Sequence, residues 1–358
     1  MFGWTAFALV AATAIAPPPA PPAADQIMRV PPALHALVQQ RVDLRAPREQ
    51  RLQQLVKFAF DADGLDLQYD AKATNSIAET YATRRVNCLS FTLLFVAMAR
   101  DVGLDAQVEE VGRVLSWYQD GDALYNAGHV NVGVRIDGRH ASIDLDRSVL
   151  MDRRGPQPIS DRRALAHYYN NRGAELMADG DLPAAQQHLA MALQMDRDFA
   201  AAWNNLGVLE LRQGDPQAAT QDYATALAVD PNHMSALSNA AILYRRLGDG
   251  RREAAMLARL QRVQQTDPFQ QYLLGNEAER RQDYAAAIGY YRHALRLYDG
   301  ADLLYFALAR AYLLNGDTRR ANTALQQALA HADKTAQPRY QAKLDALRRL
   351  SHNTQAQR

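Results

Sequence analysis

The first part of the chain has a helical pattern of apolar residues. From Ala33 to Ala59 the apolar residues recur mostly every three or four positions, and Pro47 lies where a helix would break. From Cys88 to Ala99, ten of twelve residues are apolar, and Gly103 follows this run. A segment that is apolar on every face predicts a buried helix, and this one is too short to span a membrane.

The period then changes to two. From Val130 to Ile136, apolar residues alternate with Asn131, Gly133 and Arg135, and the pattern resumes from Arg139 to Leu145 after Asp137-Gly138. An Asp-Gly pair between alternating runs is a strong local signal for a β-hairpin. Helices followed by a hairpin predict an α+β domain, which we place at residues 25–155.

The second part of the chain repeats itself every 34 residues. Small residues mark this period: Gly173, Gly207, Ala241, Gly275 and Ala309. Further alanines follow at fixed offsets in four of the five units: Ala185, Ala192, Ala219, Ala226, Ala287, Ala294, Ala321 and Ala328. This spacing resembles the tetratricopeptide repeat, a pair of helices that stacks into an all-α solenoid.

These patterns define the boundaries of the repeat region. We expect a linker at 156–163, about five repeats at 164–333, and a capping helix and tail at 334–358. The third unit departs from the pattern because Glu253 stands where the other units have alanine, and Pro268 comes late, so its second helix should be shifted. We also expect residues 160–358 to fold alone, since repeat stability comes from neighbouring repeats.

Composition and charge exclude several classes of function. The 358 residues include 40 Lys and Arg against 39 Asp and Glu, so the net charge of +1 gives no support for nucleic-acid binding. A single cysteine forms neither an internal disulfide nor a cysteine-rich zinc site. The chain has no phosphate-binding glycine loop and no His-x-x-x-His spacing, so we expect no metal and no cofactor.

The first residues indicate export. The apolar run from Trp4 to Ala16 has the length of the hydrophobic region of a signal peptide, and it is too short to span a membrane. Residues 17–24 are all proline or alanine, and this composition suggests a spacer after the apolar run. We expect residues 1–24 to be a signal peptide and spacer of a periplasmic or secreted protein. Because no cysteine lies near this segment, a lipoprotein is excluded.

The one cysteine, Cys88, lies at the predicted start of the buried helix. There the backbone N–H groups and the helix dipole stabilise a thiolate, and Arg84 and Arg85 would add positive charge. A free cysteine can equally be a small buried apolar residue. Across the predicted two-residue turn, His129 lies opposite Asp146 and diagonal to Asp144, so all three share one face of the sheet. A histidine with a carboxylate partner is what a cysteine nucleophile needs, although such residues can also be a solvated polar face.

These residues resemble the transglutaminase-like superfamily. The likeness rests on the arginines before Asn87-Cys88, the apolar helix after them, and the interval of 15 residues from His129 to Asp144 across a hairpin turn. It implies a transglutaminase-like α+β fold with a papain-like core, Cys88 as nucleophile, His129 as base and Asp144 as the acid that orients it. The chain departs from the family pattern at Val86, at Asn131 and at Leu145-Asp146.

Two functions are consistent with the sequence. The first is a cysteine-dependent acyl-transfer enzyme, either a peptidase or amidase or a transamidase, that forms a thioester while its repeats recruit a protein or peptide. The alternative is a non-catalytic scaffold whose repeats bind a partner. In either function, we expect the partner to contact inner-helix asparagines, whose amides both donate and accept hydrogen bonds: Asn170, Asn171, Asn204, Asn205, Asn239 and Asn276.

Overall fold

A computed structural model describes residues 20–111, 117–120, 123–126, 129–145, 156–332, 337–338 and 340–345. The predicted export segment, Trp4 to Ala16, lies outside the described residues, as does Asp146. Of the predicted capping region 334–358, the structure describes only 337–338 and 340–345, and these residues are helical.

The N-terminal part is built around one buried helix. Its helices are α1 (Ala24–Ile27), α2 (Pro32–Arg41), α3 (Arg48–Phe60), α4 (Ile77–Thr83) and α5 (Cys88–Asp101). As the sequence predicts, Pro47 separates two helices, because α3 begins directly after it. Helix α5 buries ten of its fourteen residues and forms the centre of the N-terminal core.

A four-stranded sheet packs on α5. The strands of the molecule are β1 (Gln68–Tyr69), β2 (Arg85–Val86), β3 (Asp105–Val111), β4 (Trp117–Asp120), β5 (Ala123–Asn126), β6 (His129–Ile136), β7 (Arg139–Ile143) and β8 (Gln157–Ile159). The sheet has the order β7-β6-β3-β8, while β1 pairs with β2 and β4 pairs with β5. All neighbours in the four-stranded sheet are antiparallel.

The predicted hairpin is present with the predicted register. Val132 faces Ile143 and Ile136 faces Arg139. Asp137 and Gly138 both have positive φ, at 49° and 78°, which is the backbone that a two-residue hairpin turn requires. The Asp-Gly signal therefore identified both the turn and the pairing of β6 with β7.

The region predicted as a linker is structured. Strand β8 lies inside 156–163 and pairs with β3, and the next helix begins at Asp161. The prediction of a linker, which Pro156 and Pro158 favour, is therefore wrong. Proline is tolerated on an edge strand, where its missing N–H faces away from the sheet.

The rest of the described chain is a stack of helix pairs. The helices are α6 (Asp161–Ala178), α7 (Leu182–Met195), α8 (Ala200–Gln213), α9 (Pro216–Val229), α10 (Met234–Arg246), α11 (Gly250–Gln265), α12 (Pro268–Arg280), α13 (Tyr284–Leu297), α14 (Asp302–Leu314) and α15 (Thr318–His331). The small residues of the 34-residue period lie where paired helices meet. A Cβ on Gly207, for example, would lie 2.7 Å from the Tyr223 ring.

The third pair differs from the others, but the predicted shift of its second helix is wrong, because α11 begins at Gly250, 34 residues after the start of α9 at Pro216. None of the sixteen described residues of α11 is buried. Glu253 replaces the small residue of the other units, and its carboxylate forms an ion pair of 2.6 Å with Arg245 at the edge of α10. A long charged side chain at this position keeps α11 from packing as closely as its counterparts.

One hydrophobic core joins the sheet part to the first repeat. Leu165, Tyr168 and Tyr169 of α6 belong to the same cluster of buried residues as Phe91 and Phe95 of α5. The core of the later repeats is separate, because Ala278, Tyr291, most of the buried residues of α14 and the buried residues of α15 form a cluster of their own. Within the described residues, no helix has the length and apolar character needed to cross a membrane.

Candidate active site

The start of α5 is fixed by a buried network of hydrogen bonds. The Asn87 side chain accepts a hydrogen bond of 2.9 Å from the Ser90 N–H and donates one of 2.8 Å to the Thr74 hydroxyl. The Ser90 hydroxyl in turn donates to the Ala73 carbonyl over 2.6 Å. Cys88 is thereby held as the first residue of the helix, with a half-buried free thiol in the field of the helix N-terminus.

The two arginines before the cysteine have other partners. Arg85 forms an ion pair of 2.9 Å with Asp70. Arg84 ends α4 in a left-handed conformation and stacks its guanidinium over the Tyr81 ring. Neither arginine therefore supplies positive charge to Cys88 by direct contact. The positive field at Cys88 comes from the N-terminus of α5 and from the neighbouring His129.

His129 and Asp144 meet across the hairpin. His129 is the first residue of β6, and Asp144 follows the last residue of β7. The distance from His129 Nε2 to Asp144 Oδ2 is 2.6 Å, and the His129 side chain is only 4% exposed. This contact is the diagonal pair that the register predicts.

The Cys88 side chain also forms a hydrogen bond with the His129 side chain. Burial lowers the pKa of His129, but the hydrogen bonds and negative charges of Asp144 and Cys88 outweigh it and raise the pKa to about 10. The imidazole is therefore protonated at neutral pH. A cationic imidazole stabilises negative charge that forms on an atom next to it.

The structure thus brings together three residues that lie far apart in sequence, Cys88, His129 and Asp144. The rival acid, Asp146, lies outside the described residues. Four further polar residues that the sequence did not single out for the site lie on the same face of the sheet: Glu109, Asn131, His140 and Ser142. Of these, Asn131 and Ser142 have the same diagonal spacing as His129 and Asp144.

The inner-helix asparagines differ from the expectation. Four of them are buried and bonded to one another: Asn170, Asn204, Asn205 and Asn239. Asn205 donates to Asn170 over 2.9 Å, and Asn239 donates to Asn204 over 3.0 Å, so the amides link α6, α8 and α10. Strand β5 also lies beside α8 and α10. The sequence could not show that successive inner helices come close enough for such a ladder.

The other two asparagines of the set are half-buried. Asn171 accepts from the Asn170 amide over 3.4 Å, and Asn276 accepts from the Tyr291 hydroxyl over 2.7 Å. Among the residues that the structure describes, no cluster of three or more His, Cys, Asp or Glu side chains could hold a metal ion.

Comparison with known protein families identifies one of the repeats. The family model described as Tetratricopeptide repeat matches residues 200–233, which cover α8 and α9. A comparison with curated proteins finds no match.

Several solved structures are similar to part of the chain. A crystal structure of the MamA protein is 19% identical, with 48% of this chain and 94% of that chain covered and a TM-score of 0.27. PilF of Pseudomonas aeruginosa is 18% identical, with 56% and 100% covered and a TM-score of 0.29. YrrB, described as a TPR protein with an unusual peptide-binding site, is 16% identical, with 50% and 92% covered and a TM-score of 0.27. At these TM-scores the likenesses support no conclusion about this chain.

The repeat match and the helix pairs agree with each other. Residues 200–233 coincide with one full unit of the 34-residue period, and the described helices around it are paired in the same way. Tetratricopeptide repeats bind peptide or protein partners. The chain therefore contains a tetratricopeptide repeat within a mostly helical solenoid, and this repeat is a module for protein interaction.

Proposed function

We propose that this protein binds an extended polypeptide through the inner surface of its repeats. The observation that carries this proposal is the repeat match at residues 200–233 within the stack of helix pairs. Since four of the asparagines are bonded to one another, the proposed contact surface lies further along the stack. Leu273 of α12 occupies the position equivalent to Asn205 and Asn239, and it is 40% exposed.

A peptide display library panned against the full-length protein tests this proposal. Peptides enriched on the wild type should lose binding to Leu273→Asp, because a charge would replace an exposed apolar contact on the inner surface. Leu257→Asp on α11 is the matched control, since Leu257 is also 40% exposed but lies on an outer helix. Equal loss or equal retention of binding in both variants would contradict an inner binding surface.

A second function is favoured by the geometry around Cys88. We propose that Cys88, His129 and Asp144 catalyse acyl transfer from an amide, in a domain of transglutaminase-like fold. The supporting observation is that a half-buried thiol at a helix start faces a histidine whose Nε2 lies 2.6 Å from a carboxylate. The non-catalytic scaffold needs none of these three groups in contact.

The proposed reaction runs in two steps. The Cys88 thiolate attacks the amide carbonyl, and the N–H groups of the first turn of α5 stabilise the oxyanion that forms. His129 gives its proton to the leaving amine as the carbon–nitrogen bond breaks, which leaves a thioester on Cys88. Water or a second amine then attacks the thioester, His129 takes up the proton, and the thiolate is released.

Asp144 holds the imidazole through Nε2, so Nδ1 is the nitrogen that serves the thiol. The carboxylate also stabilises the cationic form of His129, which must persist until the leaving amine accepts its proton. Hydrolysis and transamidation share this first step and differ only in what attacks the thioester.

Acetylation by p-nitrophenyl acetate tests this chemistry without a known substrate. The wild type should release p-nitrophenol in a burst and carry one acetyl group on Cys88 by intact mass. Cys88→Ala should show no burst, and His129→Ala and Asp144→Asn should acylate far more slowly, with non-additive losses in the double variant.

The choice of orienting acid is tested by a matched pair of variants. Asp146→Asn should acylate like the wild type, whereas Asp144→Asn should not. Acylation that is lost in Asp146→Asn and kept in Asp144→Asn would reverse the assignment. A burst of the same size in His129→Ala would leave the scaffold as the better account.

A further inference from the structure

The position of Asp144 depends on the register of one edge strand. Strand β7 lies at the edge of the sheet, next to β6, and its side chains are exposed or half-buried. Asp144 follows its last residue, so a slip of β7 by two residues would move the carboxylate by roughly 7 Å. The contact of 2.6 Å with His129 would then be lost.

Two more polar contacts link β6 and β7 along the same diagonal. The residue numbers of His129 and Asp144 sum to 273, and so do those of Asn131 and Ser142. Asn131 Nδ2 donates a hydrogen bond of 2.8 Å to the Ser142 hydroxyl, and the Asn131 side chain is 0% exposed. The next pair on this diagonal is Gly133 and His140.

In this third pair Gly133 has no side chain to contact His140, and a side chain from strand β3 contacts His140 instead. Glu109 of β3 crosses over Gly133, and a Cβ on Gly133 would overlap its carboxylate. The distance from Glu109 Oε1 to His140 Nε2 is 2.6 Å. Glu109 is only 1% exposed, so a buried carboxylate spans β6 and ties β7 to β3.

A buried carboxylate is costly unless a hydrogen bond compensates it, and an apolar residue of similar size would fill the same space more cheaply. Polar groups retained in such places are best known for fixing register. We propose that Glu109–His140 and Asn131–Ser142 are positioning pairs that hold β7 in the register in which Asp144 meets His129. This inference rests on the proposed acyl-transfer site.

The test compares His140 variants of the full-length chain, because the His140 side chain is 48% exposed and lies outside the apolar core. In His140→Ala the His129 pKa, measured by NMR, should fall by about one unit or more, and acetylation of Cys88 near neutral pH should slow by about tenfold. Gly133→Ala should have the same effect, because it displaces the Glu109 carboxylate. His140→Gln should restore both values, since the glutamine amide can donate to Glu109.

His35→Ala is the matched control. His35 forms a similar pair with Asp101, over 2.8 Å, but it lies on helix α2 and not on a strand of the sheet. We expect this variant to have the wild-type His129 pKa and acetylation profile.

Two readouts separate this inference from the proposed function. A wild-type His129 pKa in His140→Ala and Gly133→Ala would overturn the positioning role, whatever the activity. If the His129 pKa falls in these variants but the wild type forms no acyl-enzyme, the positioning role is supported and the catalytic role is rejected. An ordinary His129 pKa in the wild type would overturn both.

Discussion

Burial and the partners of His129 act in opposite directions on its pKa. Burial favours the neutral imidazole, but Asp144 and Cys88 favour the cation, and the pKa rises from its usual value of 6.5 to about 10. The charge of His129 therefore depends on both of its neighbours, the Cys88 thiol and the Asp144 carboxylate.

The raised pKa predicts how stability depends on pH. Because the folded protein binds this proton more tightly than the unfolded chain, the contribution of His129 to stability is fully present below pH 6.5. It should decrease as the pH rises above 6.5 and be lost once the pH exceeds about 10. Denaturant unfolding of the wild type and of His129→Gln between these limits measures it. An equal pH slope for the two proteins would contradict the assigned charge.

The sequence predicted the three proposed catalytic residues but not the residues that hold them. Period-two alternation and a two-residue turn are enough to place His129 and Asp144 on one diagonal. Glu109 comes from β3, whose pairing with β6 is set by the fold of the whole sheet. No local pattern in the sequence shows that its side chain crosses Gly133.

At the scale of the helices, glycine sets how closely a repeat pair packs. Gly207 of α8 lies against the Tyr223 ring of α9, and this contact leaves no space for a Cβ atom on residue 207. Gly207→Ala should therefore lower the free energy of unfolding by about 1–3 kcal/mol through overpacking.

Gly289→Ala on α13 is the matched control for this helix contact. Nothing lies within 4 Å of a Cβ at Gly289, so alanine should stabilise the helix by roughly 0.4–1 kcal/mol. Thermal or denaturant unfolding of the two variants measures both effects. Stabilisation in both would show that α8 and α9 do not approach as closely as the structure places them.

The elements that the sequence predicted are those with strong local signals. The buried helix, the hairpin and the 34-residue period each follow from residue spacing alone. The sequence does not predict strand β8, because the strand has only three residues and one of them is Pro158. It is a strand only because it pairs with β3. Glu253 breaks a period that the other units keep, and it predicts a shifted second helix. Helix α11 instead keeps its place in the period and buries none of its residues.

At the scale of the whole molecule, the first repeat is part of the N-terminal core. The repeat spacing predicts that residues 160–358 fold alone. In the structure, however, α6 buries Tyr168 and Tyr169 in the same cluster as α5, and the Tyr169 hydroxyl donates a hydrogen bond of 2.6 Å to the Pro22 carbonyl. Arg100 of α5 adds an ion pair of 2.8 Å with Asp161 at the start of α6. The sequence predicts an α+β part and a 34-residue repeat. It does not show that these two parts share one hydrophobic core.

This shared core predicts a local effect of truncation. In a fragment of residues 160–358, the amides of α6 and α7 should exchange with deuterium much faster than in the full-length protein, because α6 loses the surface that covers its tyrosines. Helices α14 and α15 are the internal control, since they belong to a separate core and should exchange as before. Unchanged protection of α6 would show that the repeats do not depend on the N-terminal part.

The pH dependence of Cys88 alkylation by iodoacetamide tests most directly the proposal that His129 activates the Cys88 thiol. Since the chain has one cysteine, the measured rate belongs to this thiol alone. At pH 6 the wild type should react roughly tenfold or more faster than free cysteine, and His129→Ala should lose that advantage. A wild-type rate that matches free cysteine at pH 6 and rises only near pH 8.5 would contradict the claim.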